Sequence, residues 1–148
     1  MGFFENLKKK NEAKKMGLTV EQYDAYPTFQ AIGITLEEYK RYLSSFAGRY
    51  NPDQYAKYLL LEKKGYTRQQ CMRYLDNLSS LIKPEDYHAF LRAESVGLSE
   101  MESVTYASTV RTQMSAEDYV GFLQAQRSGI TLENYLEYLN SFEKKMSR

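Results

Sequence analysis

GITLEEYKRYLSSF, residues 33–46, is the stretch that decides the fold, because variants of it recur along most of the chain. A related unit opens every 16 residues from Gly17, and the register runs to Lys144 without insertion or deletion. The eight openings read GLTVEQY, GITLEEY, RYNPDQY, GYTRQQC, LIKPEDY, GLSEMES, QMSAEDY and GITLENY. A strict period of this kind predicts a repeat architecture.

The opening of each unit has the chemistry of a helix N-terminus. Its third position is Thr, Ser or Asn in seven units, with Lys83 as the exception, and these side chains cap free amides. Three residues later stands Gln, Glu, Asp or Asn, which completes or approximates a capping box. The second position is always apolar or aromatic and the seventh is Tyr in six units, as in a hydrophobic staple. Each unit is therefore predicted to begin a helix after its third residue.

Neighbouring units alternate at positions 13 and 14. Position 13 is apolar in the odd units, and position 14 is apolar in the even units, as Phe46, Leu78, Val110 and Phe142. Glycine opens every even unit, which predicts a left-handed turn closing each odd helix. The full repeat is therefore a 32-residue antiparallel helix hairpin, at 17–48, 49–80, 81–112 and 113–144.

The predicted fold is all-α, with eight short helices in four hairpins after a short N-terminal helix. Helices of about 11 residues are marginal alone in water, so stacking on neighbours has to supply the stability. An open solenoid and a compact right-handed curl both satisfy the pattern. The predicted organisation is a basic amphipathic leader or N-terminal cap at 1–16, one α-repeat domain at 17–144 and a C-terminal tail at 145–148.

The leader differs from the rest of the chain in its charge. It has five lysines against Glu5 and Glu12, whereas the remaining residues have 15 basic and 17 acidic side chains. An apolar patch adjoins three of the lysines, and the hypothetical contact residues are Phe3, Phe4, Leu7, Lys8, Lys9 and Lys10. The leader either covers one end of the array or makes weak contact with an anionic membrane or partner.

Two units depart from the pattern. Pro27 falls inside the first repeat helix, where proline removes a hydrogen bond, so a break or a kink is predicted near Tyr26. The sixth unit has Ser103 and Ala107 where Tyr and Leu normally stand, which indicates either a docking notch or a repacked core.

Tyrosines favour one side of the repeat. Of 14, 12 fall at positions seven or ten, and we expect half-buried rings with hydroxyls near the rim. An aromatic row for stacking nucleic-acid bases normally comes with basic residues, whereas this chain has a net charge of +1. Nucleic acid is therefore not the expected partner.

Catalytic and metal-binding patterns are missing from the sequence. His88 is the only histidine and faces outward, Cys71 is interpreted as a buried core residue, and the glycines stand singly. We therefore expect no enzyme activity, no catalytic residue, no cofactor and no metal site. One cysteine and no apolar run of membrane-spanning length predict a soluble cytoplasmic protein.

One outward position becomes apolar towards the C-terminus. Position eight changes from Asp24 to apolar residues, and with one neighbour it forms a hypothetical partner-binding strip of Val104, Val120, Leu132 and Leu136. The alternative is that later helices bury a second face.

The openings GITLEEY (33–39) and GITLENY (129–135) resemble the second half of the two-helix modules of the bacterial SHOCT family. The resemblance covers about seven residues of capping chemistry and implies only a short helix at each place. Eight tandem copies depart from the single module of that family.

These patterns favour a non-enzymatic protein–protein interaction module, such as an adaptor, scaffold or inhibitor, with a protein or peptide partner. The alternative is a peripheral membrane-surface or nucleic-acid binder that uses the basic leader. Self-association through the ends of the array is a third interpretation.

Overall fold

The computed structural model describes the backbone of residues 2–146 and the side chains of residues 2–143. Within these residues the protein is all-helical, with nine α-helices and no strand. The helices are α1 (Phe3–Met16), α2 (Val20–Gln30), α3 (Leu36–Ser45), α4 (Pro52–Lys63), α5 (Arg68–Arg73), α6 (Tyr87–Ser95), α7 (Glu100–Thr105), α8 (Ala116–Gln126) and α9 (Leu132–Met146). The tail predicted at 145–148 therefore begins inside α9, and residues 147 and 148 lie outside the described residues.

The chain forms two compact units, Met1–Leu75 and Asp76–Arg148. The first contains α1 to α5 and the second contains α6 to α9. Their boundary falls inside a π-helical segment, Tyr74–Leu78, that continues α5. Each unit has its own buried core.

The predicted helix starts are confirmed wherever the third position has an oxygen acceptor. Two-way capping boxes, in which cap and N3 side chains each accept a backbone N–H, begin five helices, at Thr19, Thr35, Asn51, Thr67 and Ser99. Ser115 and Thr131 cap α8 and α9 by accepting the N–H groups of Asp118 and Asn134. The four predicted left-handed glycines are also confirmed, with φ between 90° and 98°.

The exception at Lys83 changes the local helix type. Lysine has no acceptor, and no side-chain cap forms there. The chain instead makes a 3₁₀ turn over Pro84–Asp86, in which the Asp86 N–H donates to the Lys83 carbonyl at 2.9 Å. The α-helix of this unit begins only at Tyr87. The tighter turn uses a backbone acceptor where the other units use a side chain.

Of the break or kink predicted near Tyr26, the break does not occur. α2 runs from Val20 to Gln30 with Pro27 inside it, and the Pro27 carbonyl accepts the Ala31 N–H at 2.9 Å. Pro27 is exposed, so its ring lies outside the core and the helix loses a single hydrogen bond there. That loss is not enough to end the helix.

Two even units end in π-helical turns, Tyr74–Leu78 after α5 and Tyr106–Val110 after α7. In the second, the Arg111 N–H donates to the Tyr106 carbonyl, five residues earlier, at 2.9 Å. A π turn contains one more residue than an α turn. It brings the apolar residue of position 14 inward, and Leu78 and Val110 are both buried.

The core of the first unit is rich in aromatic rings. Tyr39, Tyr42, Tyr55 and Tyr58 are buried, with neighbouring ring centroids 5.1 to 6.4 Å apart. The second unit contains a cluster of buried residues that the C-terminal helices cover, Ala93, Leu98, Tyr106, Val110, Met114, Ala116, Tyr119 and Phe122. Rings expected to be half-buried are thus fully inside the protein at most of the inner positions.

Candidate interaction surfaces

The strip predicted to bind a partner is partly used inside the protein. Val120, Leu132 and Leu136 are partly buried and pack against the core cluster of the second unit. Val104, on α7, is also partly buried. Much of the apolar surface expected at these four residues is therefore covered by the chain itself, and the more exposed apolar surface lies beside them.

That neighbouring surface is on and just before α9, and we call Ile130, Asn134, Tyr138 and Phe142 the α9 face. Tyr138 is 59% exposed, Phe142 52% and Ile130 40%. The repeat pattern places Ile130, Tyr138 and Phe142 at positions that point inward in earlier units, and Asn134 at the N3 position of the helix cap. The pattern did not predict their exposure, because inward position says nothing about whether a neighbour covers it.

A groove of about 460 Å³ opens at this surface, lined by Ile130, Asn134, Tyr135 and Tyr138. Of these lining residues, Tyr135 is only partly exposed. Burial raises the pKa of the Tyr135 hydroxyl above its ordinary value, so the phenol stays neutral at physiological pH. An apolar side chain with a small polar neighbour suits a groove of this composition.

A row of rings connects the α9 face with the core. From Tyr119 the row passes through Phe122, Tyr135 and Tyr138 to Phe142, with successive centroids 5.8, 5.7, 5.9 and 6.5 Å apart. Its first two rings are 5% exposed and its last two are more than half exposed. The exposed rings of Tyr138 and Phe142 thus continue a row of rings that begins in the core.

The first compact unit, Met1–Leu75, contains a buried tyrosine at the position that Tyr138 occupies in its 16-residue unit. Tyr58 stands at position ten of the third 16-residue unit, as Tyr138 does of the eighth, and is only 3% exposed. Phe46 packs on the Tyr58 ring with centroids 4.7 Å apart, and α5 packs against α4. In the first compact unit Phe46 and the packing of α5 on α4 accompany a buried ring, whereas Tyr138 keeps 59% of its surface exposed, with Tyr135 and Phe142 as ring neighbours.

The leader forms α1, and the inner side of this helix packs on α2. Ala13 is 1% exposed. Lys9 forms an ion pair with Asp24 at 2.8 Å, and the Tyr23 hydroxyl donates to the Glu12 carboxylate at 2.5 Å. This half of the leader thus belongs to the first unit.

The outer side of α1 is open. Phe4 is 82% exposed, Phe3 75% and Leu7 45%, and Lys8 and Lys10 are exposed as well. Of the six residues proposed for leader contact, only Lys9 is turned towards α2 and paired.

The other residues singled out in the sequence differ in their exposure. His88 is exposed, and Cys71 is fully buried, where burial raises the pKa of its thiol to about 11. Ser103 and Ala107 are fully buried, so no notch opens at either. Among the described residues no group of three or more His, Cys, Asp or Glu side chains is placed to hold a metal. None of the described helices is long and apolar enough to cross a membrane.

One polar cavity of about 340 Å³ lies in the second unit, beside the pair formed by Arg111 and Asp86 at 2.7 Å. Its lining also contains Lys83 and Glu85. The charged lining thus consists of two basic and two acidic side chains.

Comparison with protein-family models, with curated proteins and with solved structures finds no significant match to this chain.

Proposed function

We propose that this chain is a non-enzymatic protein-interaction module in which the α9 face binds a short amphipathic helix of a partner protein. The observation that carries the proposal is the contrast between Tyr58 and Tyr138. Both stand at position ten of their 16-residue units, the third and the eighth, yet one is 3% and the other 59% exposed. An aromatic ring left open on a rigid, partly apolar surface is typical of a contact site.

The proposed architecture is an array of four 32-residue helix hairpins, and equivalent hydrogen bonds support it. The hydroxyls of Tyr39 and Tyr55 donate to the carbonyls of Gln22 and Glu38, each 17 residues earlier. At position ten, Tyr42 and Tyr106 donate to carbonyls eight residues later, Tyr50 and Met114. Repetition of the same contacts is what an array of like modules requires.

The chemistry of the partner follows from the face. Apolar side chains spaced three or four residues apart on a helix fill a groove of this kind. Glu133 and Glu137 are exposed beside the groove, so basic residues at the edge of the partner helix would complement it. The proposal includes no catalytic residue and no cofactor. It places the module in the cytoplasm, for which the single buried thiol of Cys71 is the support.

The covering helix of the first unit supplies a probe for this face. A synthetic peptide of residues 65–80 contains α5 and its π segment, the helix that packs against α4. We expect it to bind the full chain through the α9 face, in a titration followed by calorimetry. The double variant Tyr138→Ser with Phe142→Ser should weaken binding by about tenfold or more, since it removes two exposed rings.

The matched control is Met101→Ser, which changes an apolar residue that is 66% exposed but lies on α7, outside the α9 face. Binding of the peptide should be unchanged in this variant. No binding to the wild-type chain, or equal weakening by the control and the double variant, contradicts the proposal. Circular dichroism of each variant verifies that the helices are retained.

A further inference from the structure

The charged side chains on the two sides of α1 differ in whether they are paired. On the inner side, Lys9 is paired with Asp24 and the Glu12 carboxylate accepts from Tyr23. On the outer side four lysines are exposed, Lys8, Lys10, Lys14 and Lys15. None of these four forms an ion pair with a described residue. Pairing on the inner side therefore leaves the outer side with a net positive charge.

The exposed apolar residues lie on the same outer side. At about 100° per residue, Phe3, Leu7 and Phe4 fall within one sector of about 100° around the helix axis. Lys10 and Lys14 lie at or near one edge of that sector, and Lys8 and Lys15 lie beyond the other. The Phe3 and Phe4 rings meet edge to face, with centroids 5.7 Å apart, and both remain open to solvent.

We propose that this outer side of α1 binds the surface of a membrane that contains anionic phospholipid, with the helix lying in the headgroup layer. Aromatic and aliphatic side chains enter the boundary between headgroups and acyl chains, while the flanking lysines reach the phosphates and carboxylates above it. Ala13 and Lys9 keep the opposite side of the helix on α2, so docking requires no unfolding of the unit.

A lipid surface fits these residues better than nucleic acid does. Two adjacent phenylalanines and a leucine gain most by leaving water together, and a fluid headgroup layer accepts all three. Nucleic-acid sites need a longer positive footprint, whereas residues 17–148 have 15 basic and 17 acidic side chains. The inference is independent of the α9 face and of its partner.

The test uses the full chain and sedimentation with vesicles of phosphatidylcholine alone or with added phosphatidylserine. We expect binding to the vesicles that contain phosphatidylserine and weak or no binding to the neutral ones, and the bound fraction should fall with rising salt. The double variants Phe3→Ser with Phe4→Ser, and Lys8→Gln with Lys10→Gln, should each lower the affinity by about tenfold or more. The matched control is Lys63→Gln with Lys64→Gln, a pair of exposed lysines outside α1 that should leave binding unchanged.

Insertion of α1 into the membrane is measured by fluorescence. The chain contains no tryptophan, so one introduced tryptophan reports on its own position alone. Phe4→Trp places a single indole on the outer side of α1, and its fluorescence should shift to shorter wavelength with phosphatidylserine vesicles. Tyr138→Trp places the indole on the α9 face, where no shift is expected. Equal binding to neutral vesicles, binding that survives loss of both phenylalanines, or tighter binding to duplex DNA than to the anionic vesicles overturns the inference.

Discussion

The hydroxyl of Tyr55 donates a hydrogen bond to the backbone carbonyl of Glu38, 2.6 Å away. Tyr55 lies on α4 and Glu38 in the first turn of α3, so the bond joins consecutive helices. The ring of Tyr55 is fully buried, and its hydroxyl reaches main chain rather than solvent at the rim. Buried tyrosines in this chain therefore fix the position of one helix on the previous one as well as filling the core.

Replacing Tyr55 with Phe tests that bond. The variant keeps the ring and removes the donor, so we expect the free energy of unfolding to fall by about 1 kcal/mol. Urea denaturation measures the change. Tyr138→Phe is the matched control, because that side chain is 59% exposed and water satisfies its hydroxyl; its stability should not change. Equal stability of the two variants would contradict a structural role for the Tyr55 bond.

A second prediction concerns the turn at Gly65, whose φ is 98°. No atom lies within 4 Å of the place that a Cβ would occupy, so the cost of a side chain there comes from the backbone conformation. Gly65→Ala should destabilise the fold by about 1 to 2 kcal/mol. Gly2, with φ of −72° and equally open space, is the control, and Gly2→Ala should have no effect on thermal unfolding. An unchanged midpoint for Gly65→Ala would show that the turn has a second accessible conformation.

A third prediction concerns Lys83, which leaves the helix of the fifth 16-residue unit without a side-chain cap. The backbone at Lys83 has φ −78° and ψ 156°, close to the −71° and 163° of the capping residue Thr67. Lys83→Thr should therefore place a hydroxyl where it accepts the Asp86 N–H, raising the free energy of unfolding by about 1 kcal/mol. Thr67→Ala should lower it by a similar amount. Chemical denaturation of both variants decides the matter, and a loss of stability in Lys83→Thr would show that the 3₁₀ turn depends on lysine.

Helix starts could be predicted from the sequence because capping is local chemistry. Thr35 and Glu38 need only each other and the intervening turn to form their reciprocal bonds. The left-handed glycines could be predicted for the same reason, since a residue without a Cβ adopts a positive φ at little cost in free energy. These features do not depend on what packs against the helix.

Helix ends depended on packing and were predicted less well. Every even 16-residue unit has an apolar residue at position 14, but the helix ends that bury this residue differ. The last turns of two even units widen into π helix, at Tyr74–Leu78 and Tyr106–Val110. In the second 16-residue repeat unit, α3 ends at Ser45, and Phe46 is buried without a π turn. The sequence signal was the change of the apolar residue from position 13 in odd units to position 14 in even units. This change does not distinguish a π-helical last turn from a helix that ends earlier.

Of the two candidate surfaces, one could be predicted from the sequence and the other could not. The leader residues Phe3 and Phe4 could be singled out because they lie outside the repeat and nothing in the pattern buries them. The α9 face could not, since Tyr138 stands at position ten of its 16-residue unit, as Tyr58 does. The pattern gives both residues the same expected orientation, yet Tyr58 is 3% exposed and Tyr138 is 59% exposed. Burial at an inward position is a tertiary property.

The fourth prediction is a loss of stability at alkaline pH. Burial raises the pKa of the Cys71 thiol to about 11, and it raises the pKa values of Tyr39 and Tyr55 as well. The unfolded chain therefore releases these protons at a lower pH than the folded chain does. The stability contributed by these groups is complete below about pH 9 and is lost as the pH rises through about 11.

Urea unfolding at about pH 8 and about pH 10.5 should show this loss, and Cys71→Ala should make the dependence on pH shallower. A thiol reagent at about pH 8 gives an independent reading, because a protonated buried thiol reacts only when the chain opens. Rapid labelling of the native protein, at the rate of the urea-unfolded chain, would contradict the burial of Cys71.

The last prediction concerns Ser103, whose hydroxyl is fully buried and has no hydrogen-bond partner among the described residues. A buried polar group without a partner costs free energy, so Ser103→Ala should leave stability unchanged or raise it by about 1 kcal/mol. Ser115→Ala is the matched comparison, because the Ser115 hydroxyl caps α8 by accepting the Asp118 N–H at 3.1 Å. That variant should lose about 1 kcal/mol. The same substitution is thus expected to act in opposite directions at the two serines, and a comparable loss at both, measured by urea denaturation, would show that the Ser103 hydroxyl does have a partner.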